Sequence, residues 1–269
     1  AEDAPIFRYN TKAGSNVFAV QTLIYSDGSF EVTLTDVTKA EKNKKLKQQM
    51  SNNITHELRT PVSSIRGYLE TILDCTNLKE ERKEYFLKKA HAQVVRLTDL
   101  IRDVALITKT EEAADLMPRE QVNIVKVVAD AKEELNEQFN ATHMKLFVEL
   151  PNELTINGNY SLIYSIFRNL IENSLRYAGE GKGIHINCYN EDDEWAFFSV
   201  YDTGCGVPEE HLSRLFERFY RVSEGRTRDN GGTGLGLSIV RNAVLFHSGD
   251  ISVRNRKEGG LEFLFTLKK

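Results

Sequence analysis

An apolar rhythm with helical spacing runs through Met50, Ile54, Leu58, Val62, Ile65, Leu69 and Ile72, and it crosses a proline at position 61. At about 100° per residue these side chains gather on one side of a single long helix. A proline inside a helix removes a backbone donor and crowds the preceding turn, at a cost of about 3 kcal/mol, so a useful bend is expected there. The same periodicity turns His56 to the opposite, solvent side, with Glu57 beside it and Thr60 one turn further along roughly the same face. A base, an acid and a hydroxyl therefore share a small patch. The alternative is a solvated histidine next to a helix bend, and this stretch alone does not separate the two.

The helix should start after Asp36 or Thr38, either of which can cap it, in a run from Lys39 to Lys47 that holds five lysines against Glu41. That run reads as a solvated face. The helix should continue to about Cys75, and a turn near Thr76-Asn-Leu78 should lead to a second helix from about Glu80 to Lys109 with Ala90, Val94, Leu97, Ile101 and Val104 on its apolar stripe. Two such helices carry more apolar seam than one hairpin can bury, so dimerisation into a four-helix bundle follows. Upstream, Val17–Tyr25, a Ser26-Asp-Gly-Ser29 turn and the alternating Phe30–Thr35 read as a β hairpin. Two strands bury no core of their own, so residues 1–38 are expected to pad the next domain or to end a larger one, with a weak likeness to the close of a PAS-type sensor domain.

Residues 111–120, polar and including Pro118, read as a linker, and the pattern beyond it changes to mixed α and β over 121–269. Helices are expected near Ile124–Phe139, over Asn159–Ala178 and over Leu235–Phe246. Strands are expected at Met144–Leu150, Ile184–Tyr189, Trp195–Tyr201, Asp250–Arg254 and Leu261–Leu267. Helices combined with mostly antiparallel strands imply an α/β sandwich. The chain's 269 residues and 41% apolar content suffice for such cores, and 35 basic against 39 acidic side chains argue against a general nucleic-acid binder. No apolar run approaches the ~20 residues of a membrane span. Cys75, Cys188 and Cys205 are odd in number and lack metal-like spacing, as reduced thiols would. A start in Ala1-Glu-Asp-Ala-Pro5 without methionine gives the expectation of a piece cut from a longer protein.

In the stretch 159–178, Asn169, Asn173 and Arg176 fall in one narrow sector beside the apolar stripe. Amide oxygens suit a hard cation such as Mg²⁺ and the guanidinium suits phosphate, while the alternative is simply a polar helix edge. Asp202-Thr-Gly-Cys-Gly206 follows a strand, where a carboxylate can accept from an amino group while glycines let backbone approach a flat ring. Gly231-Gly-Thr-Gly-Leu-Gly236 opens a helix, a place that favours an anion, without the Lys-Ser/Thr of a P-loop. Between them, Val207–Asn230 carries Arg214, Arg218, Arg221, Arg226 and Arg228 and reads as a lid over a nucleoside triphosphate.

These boxes have an order. His56-Glu-Leu-Arg-Thr-Pro61, Asn169-Leu-Ile-Glu-Asn173 with Arg176-Tyr177, Asp202-Thr-Gly-Cys-Gly206, Phe216-Glu-Arg-Phe-Tyr-Arg221 and Gly232-Thr-Gly-Leu-Gly236 together resemble a bacterial sensor histidine kinase over about residues 39–269. The resemblance implies a dimeric phosphoacceptor hairpin at 39–110, then an ATP-binding domain of the kind shared with gyrases and heat-shock chaperones. It implies His56 as phosphoacceptor, Glu57 as its acid/base partner, and Thr60 as the residue that orients water to dephosphorylate the partner. It further implies Asn173, assisted by Asn169, on Mg²⁺, Arg176 and Tyr177 on the nucleotide, and Asp202 on adenine with Gly204 and Gly206 beside it. Arg218 and Arg221 would meet the γ-phosphate, and Gly232, Thr233, Gly234, Leu235 and Gly236 would form the nucleotide loop. The implied partners are a second copy and a response regulator receiver domain, in the cytoplasmic part of a membrane-anchored protein. Two departures are Arg176, where lysine is common, and a weak last glycine box, Gly259-Gly-Leu-Glu-Phe263. The alternatives are an ATP-hydrolysing relative, in which a glutamate base stands at the position of Asn169, and a scaffold that binds ATP without using it.

Overall fold

The computed structural model describes residues 6–75, 77–113, 116–222 and 232–269. Residues 1–5, Thr76 of the expected turn, two residues of the expected linker, and Gly231, Arg226 and Arg228 lie outside the described residues. The chain divides into two units, Ala1–Thr60 and Pro61–Lys269.

The first unit opens with three antiparallel strands, β1 (Ile6–Ala13), β2 (Asn16–Ile24) and β3 (Phe30–Asp36), in the order β1-β2-β3. The expected hairpin is present as β2 paired with β3, and β1 adds a third strand that was not expected, aligning Tyr9 with Val20 and Phe7 with Thr22. Asn10 and Lys12, both poor strand formers, hide its alternation in the sequence, and pairing to β2 overrides them. Helix α1 (Thr38–Asp74) starts where the Asp36 carboxylate accepts from the Thr38 N–H at 2.9 Å, so Asp36 is the cap. Thr38 Oγ1 instead accepts from the Val17 N–H at 2.8 Å, which ties the helix start to β2.

In the second unit, the end of α1 pairs with α2 (Glu80–Glu112), where the Tyr68 and Phe86 rings stack at 5.9 Å. Val62, Leu69, Val94 and Ile101, all expected in apolar seams, are each more than 40% exposed in the single chain. The expected linker is shorter than 111–120, since α2 reaches Glu112 and Glu120 already belongs to β4 (Glu120–Asn123).

Beyond β4 come α3 (Ile124–Glu134), α4 (Asn136–Thr142), β5 (Lys145–Glu149), β6 (Thr155–Gly158), α5 (Tyr160–Tyr177), β7 (Gly183–Glu191) and β8 (Trp195–Asp202). Then follow α6 (Glu209–Leu212), α7 (Gly236–Phe246), β9 (Ile251–Asn255) and β10 (Leu261–Lys268). The helix expected over 124–139 is two helices broken at Leu135, whose side chain is buried. The five-stranded sheet runs β5-β7-β8-β10-β9, with only β5 and β7 parallel, and β4 pairs with β6 in a separate two-stranded sheet.

Burial alternates along the central strands: Ala196, Phe198 and Val200 of β8 and Phe263, Phe265 and Leu267 of β10 face the helices. Phe167 of α5 meets Phe198 and Phe265 edge-on at 5.7 and 5.9 Å, a contact that fixes helix α5 on the sheet. Asn159 caps α5 by accepting from the Leu162 N–H at 3.1 Å. Helix α5 also packs on α3 and α7, so its polar edge is delivered to the start of α7.

Candidate functional site

His56 is exposed, Glu57 half-buried and Thr60 exposed on α1. The Thr60 hydroxyl donates to the His56 carbonyl at 3.4 Å, a long, weak bond across one turn. Helix α1 runs on through Pro61, whose side chain is buried. The imidazole is thus available to a reagent in solution, with an acid as its chain neighbour.

The other expected residues collect in the second unit around the C-terminal half of α5. Asn169 is buried, and its Nδ2 donates to the Ser165 carbonyl at 2.8 Å, which leaves Oδ1 facing the start of α7. A Cβ on Gly236 would sit 2.6 Å from that oxygen, so the glycine is what lets the loop come so close. Asn173, one turn on, is half-buried. Arg176 is half-buried and tied to Glu172 at 2.7 Å, and Tyr177 is about half exposed at the helix end. A Cβ on Gly232 would lie 2.7 Å from Arg176 Nη1 and 3.0 Å from the Tyr177 hydroxyl. The glycine loop therefore presses its backbone against the Asn169-to-Tyr177 edge.

The glycine loop is tied to residues before and after it in the chain. The Phe219 N–H donates to the Gly234 carbonyl at 2.8 Å, and Leu235 is fully buried beneath the loop. Thr233 Oγ1 accepts from the Leu235 N–H and donates to Asp103 of α2, both at 3.2 Å. Burial pushes the Asp103 carboxyl up to about 6, against the pull of Thr233 and Arg168. Arg218 forms an ion pair with Glu111, also on α2, and Arg221 is half-buried three residues on.

Asp202 ends β8 and is buried, with Oδ1 accepting from the Gly204 N–H at 2.8 Å and the Leu261 N–H at 3.5 Å. The Ser174 hydroxyl lies 3.5 Å from its other oxygen. Burial still pushes this carboxyl above its ordinary value. Gly204 backs onto Ala178 at the end of α5, and Gly206 sits against the Asn255 side chain. The weak last glycine box has a definite place: Gly260, at φ +97°, lies against the Asp202 carbonyl, where a Cβ would be 1.9 Å away. Four residues here were missed by sequence reasoning. Glu172 stands four before Arg176, a spacing that could have shown it, whereas Ser174, Asp103 and Glu111 meet their partners only through the fold.

These elements offer a buried carboxylate, two amides, a guanidinium and a glycine loop that leads into a helix, a set suited to a nucleotide with its phosphates. Residues 46–113 match the His Kinase A (phospho-acceptor) domain, and residues 158–269 match the Histidine kinase-, DNA gyrase B-, and HSP90-like ATPase domain. The chain is 32% identical over 237 residues to the sensor histidine kinase WalK of Bacillus subtilis, covering 86% of this chain and 38% of that protein. It is 33% identical over 227 residues to the histidine-protein kinase BaeS of Escherichia coli, covering 84% and 48%. The chain thus spans about half the length, or less, of these relatives. Acinetobacter baumannii histidine kinase AdeS shares the fold at TM-score 0.65 and 22% identity, over 79% of this chain and 97% of that one. ShkA, solved with AMPPNP, aligns at TM-score 0.58 and 25% identity over 82% and 45%. A phosphoacceptor hairpin followed by an ATP-binding α/β domain, found in that order and among these relatives, makes the chain a member of the bacterial sensor histidine kinase family.

Proposed function

We propose that this chain uses ATP to phosphorylate His56 and passes the phosphoryl group to an aspartate of a response regulator. The observation that carries this reading is the packing of the Gly232–Gly236 loop on the Asn169–Tyr177 edge beside buried Asp202, in a chain that also exposes His56 next to Glu57. Asp202 would accept from the adenine amino group, while Arg176, Arg218, Arg221 and the loop backbone hold the phosphates. Mg²⁺ fits the half-buried Asn173 amide, with Asn169 Oδ1 one turn away, and it would neutralise phosphate charge there. The cation would take most of its oxygens from phosphates and water, as Mg²⁺ usually does.

Glu57 would hold one ring nitrogen of His56, so that the lone pair of the other attacks the γ-phosphorus. The bond to the bridging oxygen breaks and ADP leaves with its electron pair, while the ring proton passes toward Glu57. In the second step a regulator carboxylate attacks phosphorus, and the P–N bond returns its electrons to the imidazole. Hydrolysis by a water-activating base is disfavoured by Asn169, whose amide takes no proton from water. Incubation with γ-labelled ATP should give acid-labile, alkali-stable label on the chain, and His56→Gln should lose it. Label retained in that variant rejects His56.

Two further expectations belong to the hairpin. Its exposed Val62, Leu69, Val94 and Ile101 call for a partner surface, so a homodimer held by residues 39–110 is expected, and a monomeric mass by sedimentation at micromolar concentration rejects it. Thr60 could orient a water toward a phosphoryl group on a docked regulator. Thr60→Ala should then keep most labelling of His56 yet slow removal of phosphate from the regulator at least about tenfold, ~1.4 kcal/mol of barrier. Equal losses in both activities would reduce Thr60 to a shaper of the turn before Pro61. No helix among the described residues is long and apolar enough to cross a membrane. With ATP as the phosphoryl donor, we place this chain on the cytoplasmic side of a membrane-anchored protein.

A further inference from the structure

A line of alternating charges runs along the outer edge of α5 and ends at the nucleotide loop. Glu134, the last residue of α3, accepts from the Tyr164 hydroxyl with one oxygen and from Arg168 Nε with the other, the latter at 2.8 Å. Arg168 Nη1 reaches Glu172 Oε2 at 2.9 Å, and Glu172 Oε1 holds Arg176 Nη2 at 2.7 Å. Both oxygens of Glu172 are thus committed to different guanidiniums, so this carboxylate cannot swing without breaking a pair. Solvated i,i+4 pairs contribute little. Here the side chains of Arg168, Glu172 and Arg176 are only 16%, 19% and 26% exposed, and Arg168 is anchored to a second helix. Burial works against the Arg168 charge, but Glu172 and Glu134 outweigh it and push its pKa up.

We infer that Glu172 is a positioning residue for nucleotide recognition, clamping one edge of the Arg176 guanidinium so that its other edge is presented at the Gly232 loop. The clamp engages Nη2 from one edge and leaves the Nη1 side as the other edge, and Nη1 is the atom that a Cβ on Gly232 would meet at 2.7 Å. It also accounts for arginine at this position. A lysine ammonium is a compact charge that needs no orienting, whereas a planar guanidinium presents phosphate with two aligned N–H groups only when its plane is held. With Glu134, Arg168, Glu172 and Arg176 in line, the two carboxylates balance the two guanidiniums, so the clamp orients Arg176 without placing uncompensated negative charge beside a triphosphate.

This inference rests on the nucleotide-site reading above, and the test separates the two. Affinity of the 269-residue chain for ATP is measured by titration, with KM and kcat from labelling and a thermal midpoint for each variant. Glu172→Gln is expected to raise Kd and KM for ATP about tenfold, with kcat within about twofold and the midpoint unchanged, because the charge-assisted clamp is lost but the shape is kept. In an Arg176→Lys background the same substitution is expected to cost less than about twofold, since the ammonium needs no clamp. Unchanged affinity in Glu172→Gln, an equal loss in both backgrounds, or a loss that tracks a fall in the thermal midpoint would each overturn the inference while leaving the nucleotide site in place. Failure of the unsubstituted chain to bind ATP would reject the nucleotide site, and the clamp with it.

Discussion

Asn173→Asp is expected to reduce labelling of His56 by at least about a hundredfold, ~2.7 kcal/mol in barrier, while the chain stays folded and dimeric. The side chain is half-buried on α5 between Asn169 and Tyr177. Its amide oxygen is of the kind that suits a hard cation. Aspartate keeps an oxygen there, so the effect would come from charge: a partly desolvated carboxylate beside Glu172 and next to a triphosphate repels the substrate that the site must hold. Asn173→Ala, which removes the oxygen without adding charge, should be impaired similarly. Because both changes fall at a half-buried position on the polar edge of α5, circular dichroism and the thermal midpoint should stay near those of the unsubstituted chain. Undiminished labelling in either variant would remove Asn173 from the site.

Gly260→Ala should damage both stability and nucleotide binding. The residue sits at φ +97°, which costs an L side chain about 1–2 kcal/mol. Its new Cβ would lie 1.9 Å from the Asp202 carbonyl and 3.1 Å from Asp202 Oδ1. That overlap is with main chain, so no rotamer change relieves it, and the corner between β8 and β10 must open. The Leu261 N–H would then move away from the Asp202 carboxylate, which it now approaches at 3.5 Å. A destabilisation of about 3 kcal/mol or more is expected, read as a lower urea midpoint, together with at least about tenfold weaker ATP binding. A midpoint and affinity equal to those of the unsubstituted chain would show that this corner yields and that Asp202 does not depend on it.

Local pattern carried much of what the sequence could say. The 3.6-residue stripes of the hairpin and the alternation of Phe30–Thr35 depend on neighbours within a turn or a strand, and each element occurs where its pattern lies. Where local preference and long-range pairing disagree, pairing decides. Strand β1, with its Asn10 and Lys12, is a strand because β2 offers a ladder, and the four-residue β4 and β6 exist only as each other's partners. A helix predicted through Leu135 breaks there, where that side chain is buried in the core with Phe139.

The site divides in the same way. Residue types and the order of the boxes, from His56 through Asn173 and Asp202 to Gly236, were determined by the sequence, because each chemical role demands a particular functional group. Only the tertiary structure decided why Gly232, Gly236 and Gly260 must be glycine, since the atoms they make room for belong to Arg176, Asn169 and Asp202, between 56 and 67 positions away. It alone joined Asp103 to Thr233 and Glu111 to Arg218, contacts that span 130 and 107 positions. The physical reason is range: helical and strand periods act over a few residues, while close approach and charge pairing act through space and appear only once α5, α7 and the sheet have packed.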